Sequence, residues 1–352
     1  MRHRFVKLAT AFGLGSLAAI STAAPALACG GLVGENGTIQ LDRTTTLAAY
    51  HDGVEHYVTS FQFSGEGKEI GSIIPLPGVP TNVERGGDWT LQRLEREVNP
   101  PPRFAVEGDA KAASAASGAE VILETKIDAL EITVLKGGGT EVGQWATDHG
   151  FLLTPDAPEV LDYYSRRSQI FMAARFDAEA ARALGQNTGD GTPIHLTIPT
   201  DRPWVPIRIL ALGRESSSIV QADVFMLTDH KPMLLTGDNG LDLARSEPAS
   251  SQLLDDLRAD KGMEWMPREQ WLTYLKIDAP AGALTHDLAA SVNPFRPPLY
   301  TDAGITTPAE ALNTLASPHA SPWSLPIIVS LTAGFLLTVY AFNATRRGSA
   351  VR

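Results

Sequence analysis

Cysteine is nearly absent from this sequence, which has one, Cys29, among 352 residues. A single thiol cannot close an intrachain disulfide, nor can it build a zinc site from several thiolates. The fold must therefore be stabilised by a buried apolar core. The hydrophobic and charged fractions, 43% and 20%, are ordinary for a globular protein and argue against wholesale disorder.

Positive charge is scarce and unevenly placed. The chain has 29 basic and 40 acidic residues, a formal net charge of −11. Six of the basic residues lie at the two ends of the chain: Arg2, Arg4, Lys7, Arg346, Arg347 and Arg352. Without these six, the remainder carries about −17. Such a body repels phosphate backbones, so nucleic acid is not an expected partner.

Long hydrophobic runs occur only near the two ends. The first is an apolar stretch behind a basic start, followed by Ala26-Leu27-Ala28-Cys29. Small residues three and one positions before the cysteine are typical of a signal-peptide cleavage site, so residues 1–28 are predicted to be a signal peptide. Cys29 then has two alternative fates, lipidation or an unmodified mature N-terminus.

The second apolar run, Leu325–Phe342, carries no charge and is followed by two arginines. Its length suits a membrane helix, predicted over residues 323–343, and the basic tail 344–352 favours a cytoplasmic C-terminus. The protein is thus predicted to be a single-pass protein of the cell membrane with an extracytoplasmic body. Ser330, Gly334 and Thr338 form a stripe that either mediates helix contacts in a homo-oligomer or reflects ordinary membrane-helix composition.

The body, residues 29–278, is predicted to be an α+β domain of mainly antiparallel sheet with a few packed helices. A hairpin over Thr44–Phe63 is indicated by alternating apolar residues around an Asp-Gly turn. Single strands are predicted over six apolar runs: Val121–Leu135, Gln169–Phe176, Pro193–Ile198, Val205–Leu212, Ile219–Leu227 and Leu272–Ile277. One helix is predicted to be capped by Asp88 and to end before Pro100, and another to run from Pro158 to about Arg167.

Two segments of the chain are expected to lack regular structure. Residues 107–120 are small and polar, which predicts a mobile loop, and residues 279–322 are rich in Ala, Pro and Ser, which predicts an extended stalk. The Pro-rich stretch Ile74–Pro80 and the aromatic hairpin Thr44–Phe63 are candidate contact surfaces. Tyr57, Phe61 and Trp145 are expected to pack in the core.

Motifs for catalysis or metal binding are absent or incomplete. The sequence has no GxSxG motif, and the cluster from His51 to His56 is not HExxH. We interpret that cluster as a polar hairpin end, and Arg208 as a solvated residue. No catalytic, cofactor-binding or metal-binding residue is predicted, and no cofactor is expected.

Several segments taken together resemble one bacterial family, domain of unknown function 2330. The segments are Cys29-Gly30-Gly31, Ile73–Pro77, Trp145 with Gly150-Phe151, Tyr163-Tyr164 with Phe171–Ala174, and the strand pair from Pro193 to Leu212. The resemblance implies an exported, often membrane-anchored protein of unestablished activity, and it transfers no catalytic residue. The family pattern often has a second cysteine after Cys-Gly-Gly, which this chain lacks.

These features predict a membrane-tethered binding or structural module of the cell envelope, with an envelope protein as a candidate partner. Whether it is an enzyme stays open. The alternative is an envelope hydrolase whose active site forms only in three dimensions. A cleft with converging acids or a Ser/His pair would favour the hydrolase, and an exposed flat apolar patch would favour binding.

Overall fold

The computed structural model describes residues 31–34, 43–60, 69–99, 119–185, 192–235, 240–293 and 295–305. The predicted signal peptide, Cys29, the membrane helix with its stripe and the basic tail lie outside these ranges, as do residues 107–118 of the predicted loop. Within them, no helix has both the length and the hydrophobicity needed to cross a bilayer.

The described strands and helices are numbered in chain order. The strands are β1 (Gly31–Gly34), β2 (Arg43–His51), β3 (Val54–Ser60), β4 (Glu69–Pro75), β5 (Asn82–Arg85), β6 (Glu120–Ile127), β7 (Leu130–Lys136), β8 (Ile170–Asp177), β9 (Pro193–Pro199), β10 (Trp204–Val205), β11 (Ile219–Thr228), β12 (Met233–Leu235), β13 (Leu241–Pro248), β14 (Trp271–Pro280) and β15 (Leu288–Ser291). The helices are α1 (Thr90–Val98), α2 (Gly139–Asp148), α3 (Ala157–Ser165), α4 (Ala178–Ala183) and α5 (Ser251–Ala259).

The strands form three sheets. A seven-stranded sheet has the order β13-β14-β11-β2-β3-β9-β5, a five-stranded sheet the order β1-β4-β8-β7-β6, and a small sheet the order β10-β15-β12. In the described ladders every pairing is antiparallel except that of β2 with β11. The predicted α+β class with mainly antiparallel sheet is therefore confirmed.

Two sheets and two pairs of helices stack in four layers. Side chains alternate between the two faces of a strand. In the two large sheets both faces are buried. On β8, Met172 packs between the two large sheets, where Tyr57 and Val224 of the seven-stranded sheet meet it in one cluster. Phe171, the neighbour of Met172, points to the opposite face and packs with α2 and α3. The outer face of the seven-stranded sheet is covered by α1 and α5.

The hairpin predicted around His51-Asp52-Gly53 is confirmed as β2 and β3. Asp52 and Gly53 have φ of 49° and 79°, the positive values that a tight two-residue hairpin turn requires. Tyr57 and Trp145 are buried as expected, with 1% and 4% exposure. Phe61 lies outside the described residues.

The single strand predicted over Val121–Leu135 is wrong. The segment is a hairpin, β6 and β7, that turns at Asp128, whose φ is 57°. Aspartate tolerates the left-handed region, so the turn needs no glycine and gave no glycine signal in the sequence. Asp128 is buried and accepts bonds from Arg85 and Thr192, which hold the turn in place.

The strand predicted over Val205–Leu212 is also wrong. Only Trp204–Val205 is extended, and Arg208–Ala211 forms a 3-10 helix. The amides of Ile207 and Arg208 donate to the carboxylate of Asp287 instead of to a neighbouring strand. This polar partner, distant in the chain, ends the strand.

The predicted stalk is wrong for the described part of residues 279–305. This part contains two 3-10 helices, Ala281–Ala283 and Tyr300–Ala303, and strand β15, which pairs with β10 and β12. Leu288 and Ala303 are fully buried. The folded body thus continues past residue 278, and residues 306–322 lie outside the described ranges.

Candidate functional site

A cleft of about 550 Å³ opens where three distant segments of the chain meet. Its walls come from the end of α3, from the segment between β9 and the first 3-10 helix, and from the last described residues. The lining residues are Pro77, Glu159, Tyr163, Arg166, Arg167, Thr200, Asp201, Arg202, Trp204, Arg208, Thr301, Asp302 and Gly304. The volume lies in the range of small-molecule binding sites.

Arg167 is held rigidly just beyond the end of α3. Its guanidinium carbon lies 3.8 Å from the centre of the Trp204 ring, close enough for a cation–π contact. One Nη pairs with the buried carboxylate of Asp287, and the other donates to the carbonyl of Asp302 at 3.0 Å. Its Nε–H is buried and has no hydrogen-bond partner among the described residues. Arg167, which lines the cleft, therefore has one buried N–H that the described residues leave unsatisfied.

Asp287 is the buried anion that organises this wall. It is fully buried and accepts from the Tyr164 hydroxyl at 2.9 Å and from the Ile207 and Arg208 amides at 2.7 and 2.9 Å. Although burial alone would lower the pKa of Arg167, the carboxylate of Asp287 raises it above its ordinary value. The guanidinium therefore stays charged at any physiological pH.

The ring of Tyr163 contacts a second ordered guanidinium, that of Arg208. Arg208 lies 4.2 Å from the centre of the Tyr163 ring and pairs with Glu159 at the mouth of the cleft. The Tyr163 hydroxyl donates to the carbonyl of Ala303 at 3.0 Å. Gly304 has a φ of 75°, and a Cβ at this position would overlap the tyrosine oxygen. A glycine is therefore required for Tyr163 to close this wall.

The rim of the cleft carries charges of both signs. Arg202 pairs with Asp302 at 3.0 Å, and Arg166 pairs with Asp162. Four guanidiniums thus surround the cleft, two of them ordered by aromatic rings. A guanidinium presents a planar fork of donors that matches a carboxylate or a phosphate, so the arrangement is suited to binding such an anionic group.

Sequence reasoning missed this cleft. The side chain of Arg208, interpreted as solvated, is only 23% exposed, and Thr301–Gly304 lie in the predicted stalk. The one available signal was the aromatic and basic run Tyr163-Tyr164…Arg166-Arg167 at the end of a predicted helix. Pro77, from the predicted contact surface Ile74–Pro80, does line the cleft.

The polar cluster from His51 to His56 does not converge on one point. His51 Nδ1 lies 2.6 Å from Asp229 Oδ1. His56 Nδ1 lies 2.8 Å from His195 Nε2, and the His56 ring stacks on Trp265 at 3.7 Å. Burial lowers the pKa of both His56 and His195 to about 4, so this pair is neutral at pH 7 and packs as a stack of rings.

No curated protein matches the sequence significantly. The crystal structure of baculovirus p35 shares 10% identity and a TM-score of 0.39, and the match covers 73% of this chain and 98% of p35. The p35 complex with caspase-8 gives 10% identity and a TM-score of 0.37, with 71% and 96% of the two chains covered. Similarity this low supports no inference about activity or partners.

One family profile matches residues 23–235, more than half of the chain. The matched range includes α3 and the segment Thr200–Arg208, which supply two walls of the cleft, and leaves out the third wall, Thr301–Gly304. The chain belongs to DUF2330, the family described as uncharacterised proteins conserved in bacteria.

Proposed function

We propose that this protein is a binding module of the bacterial cell envelope, tethered by the C-terminal apolar segment and exposed outside the membrane. Its recognition site is the cleft between α3, Thr200–Arg208 and Thr301–Gly304. The ligand is an envelope component that presents a carboxylate or a phosphate group.

The observation that carries this proposal is the state of Arg167. Both Nη groups are committed to protein acceptors, whereas the buried Nε–H has no partner among the residues the structure describes. A buried donor without an acceptor costs roughly 1–3 kcal/mol. An anionic oxygen that entered the cleft wall and reached this N–H would remove this cost.

The rigidity of the guanidiniums also supports a binding function. Arg167 is stacked on Trp204 and Arg208 on Tyr163, so neither side chain must be ordered when a ligand binds. Immobilising a long side chain costs about 0.5–1.5 kcal/mol, and preorganisation avoids that loss. The acids on the rim, including Asp201, restrict the ligand to one that tolerates neighbouring carboxylates.

Equilibrium titration of the full-length protein in detergent with citrate and with inorganic phosphate tests the site. We expect one saturable site for at least one anion, and the preferred anion distinguishes a carboxylate ligand from a phosphate ligand. Arg208→Gln should weaken binding at least about tenfold, because it removes a charged donor worth about 1.5–3 kcal/mol.

Arg268→Gln is the matched control, since Arg268 is exposed and does not line the cleft. It should bind as the wild type does. Absence of saturable binding of both anions, or equal affinity in Arg208→Gln and the wild type, would contradict the proposed site.

The alternative of an envelope hydrolase rests on no further observation at this cleft. His51, which pairs closely with an acid, has a carboxylate near each ring nitrogen rather than a hydroxyl nucleophile.

A further inference from the structure

A buried acid, Glu55, lies directly behind the wall of the arginine cleft. It is the second residue of β3, it is fully buried, and neither carboxyl oxygen accepts a hydrogen bond of standard geometry from a described residue. The backbone amide of Trp204 is close enough to act on its charge. Trp204 in turn lines the cleft, and its ring contacts the guanidinium of Arg167. The backbone and the ring of one residue therefore connect the buried carboxyl with the cleft.

The hairpin that carries Glu55 also holds the cleft segment in place. Tyr50, opposite Glu55 in the pairing of β2 with β3, donates its hydroxyl to the carbonyl of Thr200 at 3.0 Å. The amide of Thr200 donates to the carbonyl of Gly53 at 3.0 Å. Thr200 and Trp204 both line the cleft. A charge on Glu55 therefore acts on the backbone that shapes the cleft, through a protein interior that screens it weakly.

We propose that anion binding in the cleft is coupled to the protonation of Glu55, so that the ligand binds more tightly when Glu55 is neutral than when it is ionised. This inference rests on the proposed function, because it requires an anionic ligand. A negative charge behind Trp204 repels an anion in the cleft and weakens the attraction of that anion to Arg167. Because coupling is reciprocal, a bound anion favours the neutral carboxyl by the same factor.

The surroundings of Glu55 contain few groups that can titrate. Tyr50 faces it from β2, and the apolar Ile198 of β9 is its pairing partner on the other side. The five-stranded sheet covers this face of β3 with apolar side chains, among them Met172. Tyr57 follows on the same face of β3. Among these described neighbours, the titratable groups are thus the two phenols.

The groups around the cleft differ in the pH range in which they ionise. Burial raises the pKa of Glu55 to about 8. Burial also raises the pKa of Tyr50, and neighbouring carboxylates, including those of Asp201 and Asp229, raise it further. The pKa of Tyr163, which lines the cleft, is likewise raised by burial. A change in affinity between about pH 7 and about pH 9.5 that is absent without the Glu55 carboxyl therefore reports on this group.

Equilibrium titration of the full-length protein in detergent tests the coupling. Wild type and Glu55→Gln are titrated with citrate and with inorganic phosphate at about pH 7 and at about pH 9.5. We expect affinities for the preferred anion that agree within about twofold at the lower pH, and binding at least about fivefold tighter in Glu55→Gln at the higher pH. The ionisation of the anion itself is the same for both proteins, so it does not affect the comparison.

Glu124→Gln is the matched control, since Glu124 is exposed on β6 and does not line the cleft. It should show the pH dependence of the wild type. Proton uptake is a second measurement, obtained by calorimetry in buffers of different ionisation enthalpy. At about pH 8, anion binding should draw up to about half a proton more into the wild type than into Glu55→Gln.

Two outcomes separate this inference from the proposed function. Saturable binding with the same pH dependence in the wild type and Glu55→Gln, without excess proton uptake, would overturn the coupling and leave the binding site standing. Absence of saturable binding of both anions at both pH values would overturn the binding site and the coupling together.

Discussion

Glu55 is an acidic residue that the alternation of side chains along β3 places in the core. It shares a face of β3 with Tyr57 and Thr59, and that face is the inner one, so its carboxyl group is fully buried. Neither oxygen accepts a hydrogen bond of standard geometry from a described residue. Burial raises the pKa of Glu55 from 4.5 to about 8, an effect that the Trp204 backbone amide only partly opposes. Glu55 is therefore protonated at neutral pH.

We predict that Glu55→Gln stabilises the protein at pH 8 and changes its stability much less at pH 4.5. Since the folded-state pKa is raised, the stability of the wild type falls as pH rises from 4.5 towards 8. A neutral amide avoids that loss, which is on the order of 4 kcal/mol at pH 8. Urea unfolding of both proteins at the two pH values measures the difference, and an equal difference at both would refute this account of Glu55.

At the scale of elements, α1 shows what local sequence can and cannot predict. The end of the helix before Pro100 follows from the sequence and is confirmed, since α1 ends at Val98. The predicted cap, Asp88, instead pairs with Arg85. Asp260 caps the helix from a distance: its carboxylate accepts from the Asp88 and Trp89 amides and the Thr90 hydroxyl at 2.8–3.0 Å. A contact between residues about 170 positions apart leaves no local signal.

Asp260→Ala should lower the free energy of unfolding by about 2 kcal/mol, because it leaves two amide groups at the start of α1 and the buried Thr90 hydroxyl without an acceptor. Asp88→Ala should cost less than about 1 kcal/mol, since its ion pair with Arg85 is partly exposed. Chemical denaturation of the two variants tests the assignment. A larger loss in Asp88→Ala than in Asp260→Ala would restore the sequence-based prediction.

At the scale of the whole molecule, the sequence predicts the class of fold better than the site. Alternating apolar runs are enough to place β2, β3, β8, β9, β11 and β14, and hence a mainly antiparallel protein. The cleft, by contrast, joins residues near positions 163, 204 and 302. Contacts between such distant segments produce no repeating pattern in the sequence, so the sequence does not predict the cleft.

The same limit explains the error over residues 279–305. Strand β15 has four residues, and the neighbouring 3-10 helices have three and four. Elements this short have too few residues to show a repeating pattern, and the Ala- and Pro-rich composition favours an extended chain. Strand β15 is buried against β10 and β12, and Asp287, just before it, accepts from Tyr164 of α3. The 3-10 helix Tyr300–Ala303 contributes to the third wall of the cleft.

In-cell photocrosslinking from the cleft tests the central claim most directly. A photoreactive residue in place of Thr301, in the cleft wall, should capture one envelope component, and the adduct should disappear when Arg208→Gln is added. The same residue in place of Asp148, an exposed residue of α2 that does not line the cleft, should not capture it. Capture of cytoplasmic molecules only, or of the same products from both positions, would contradict an envelope-binding cleft.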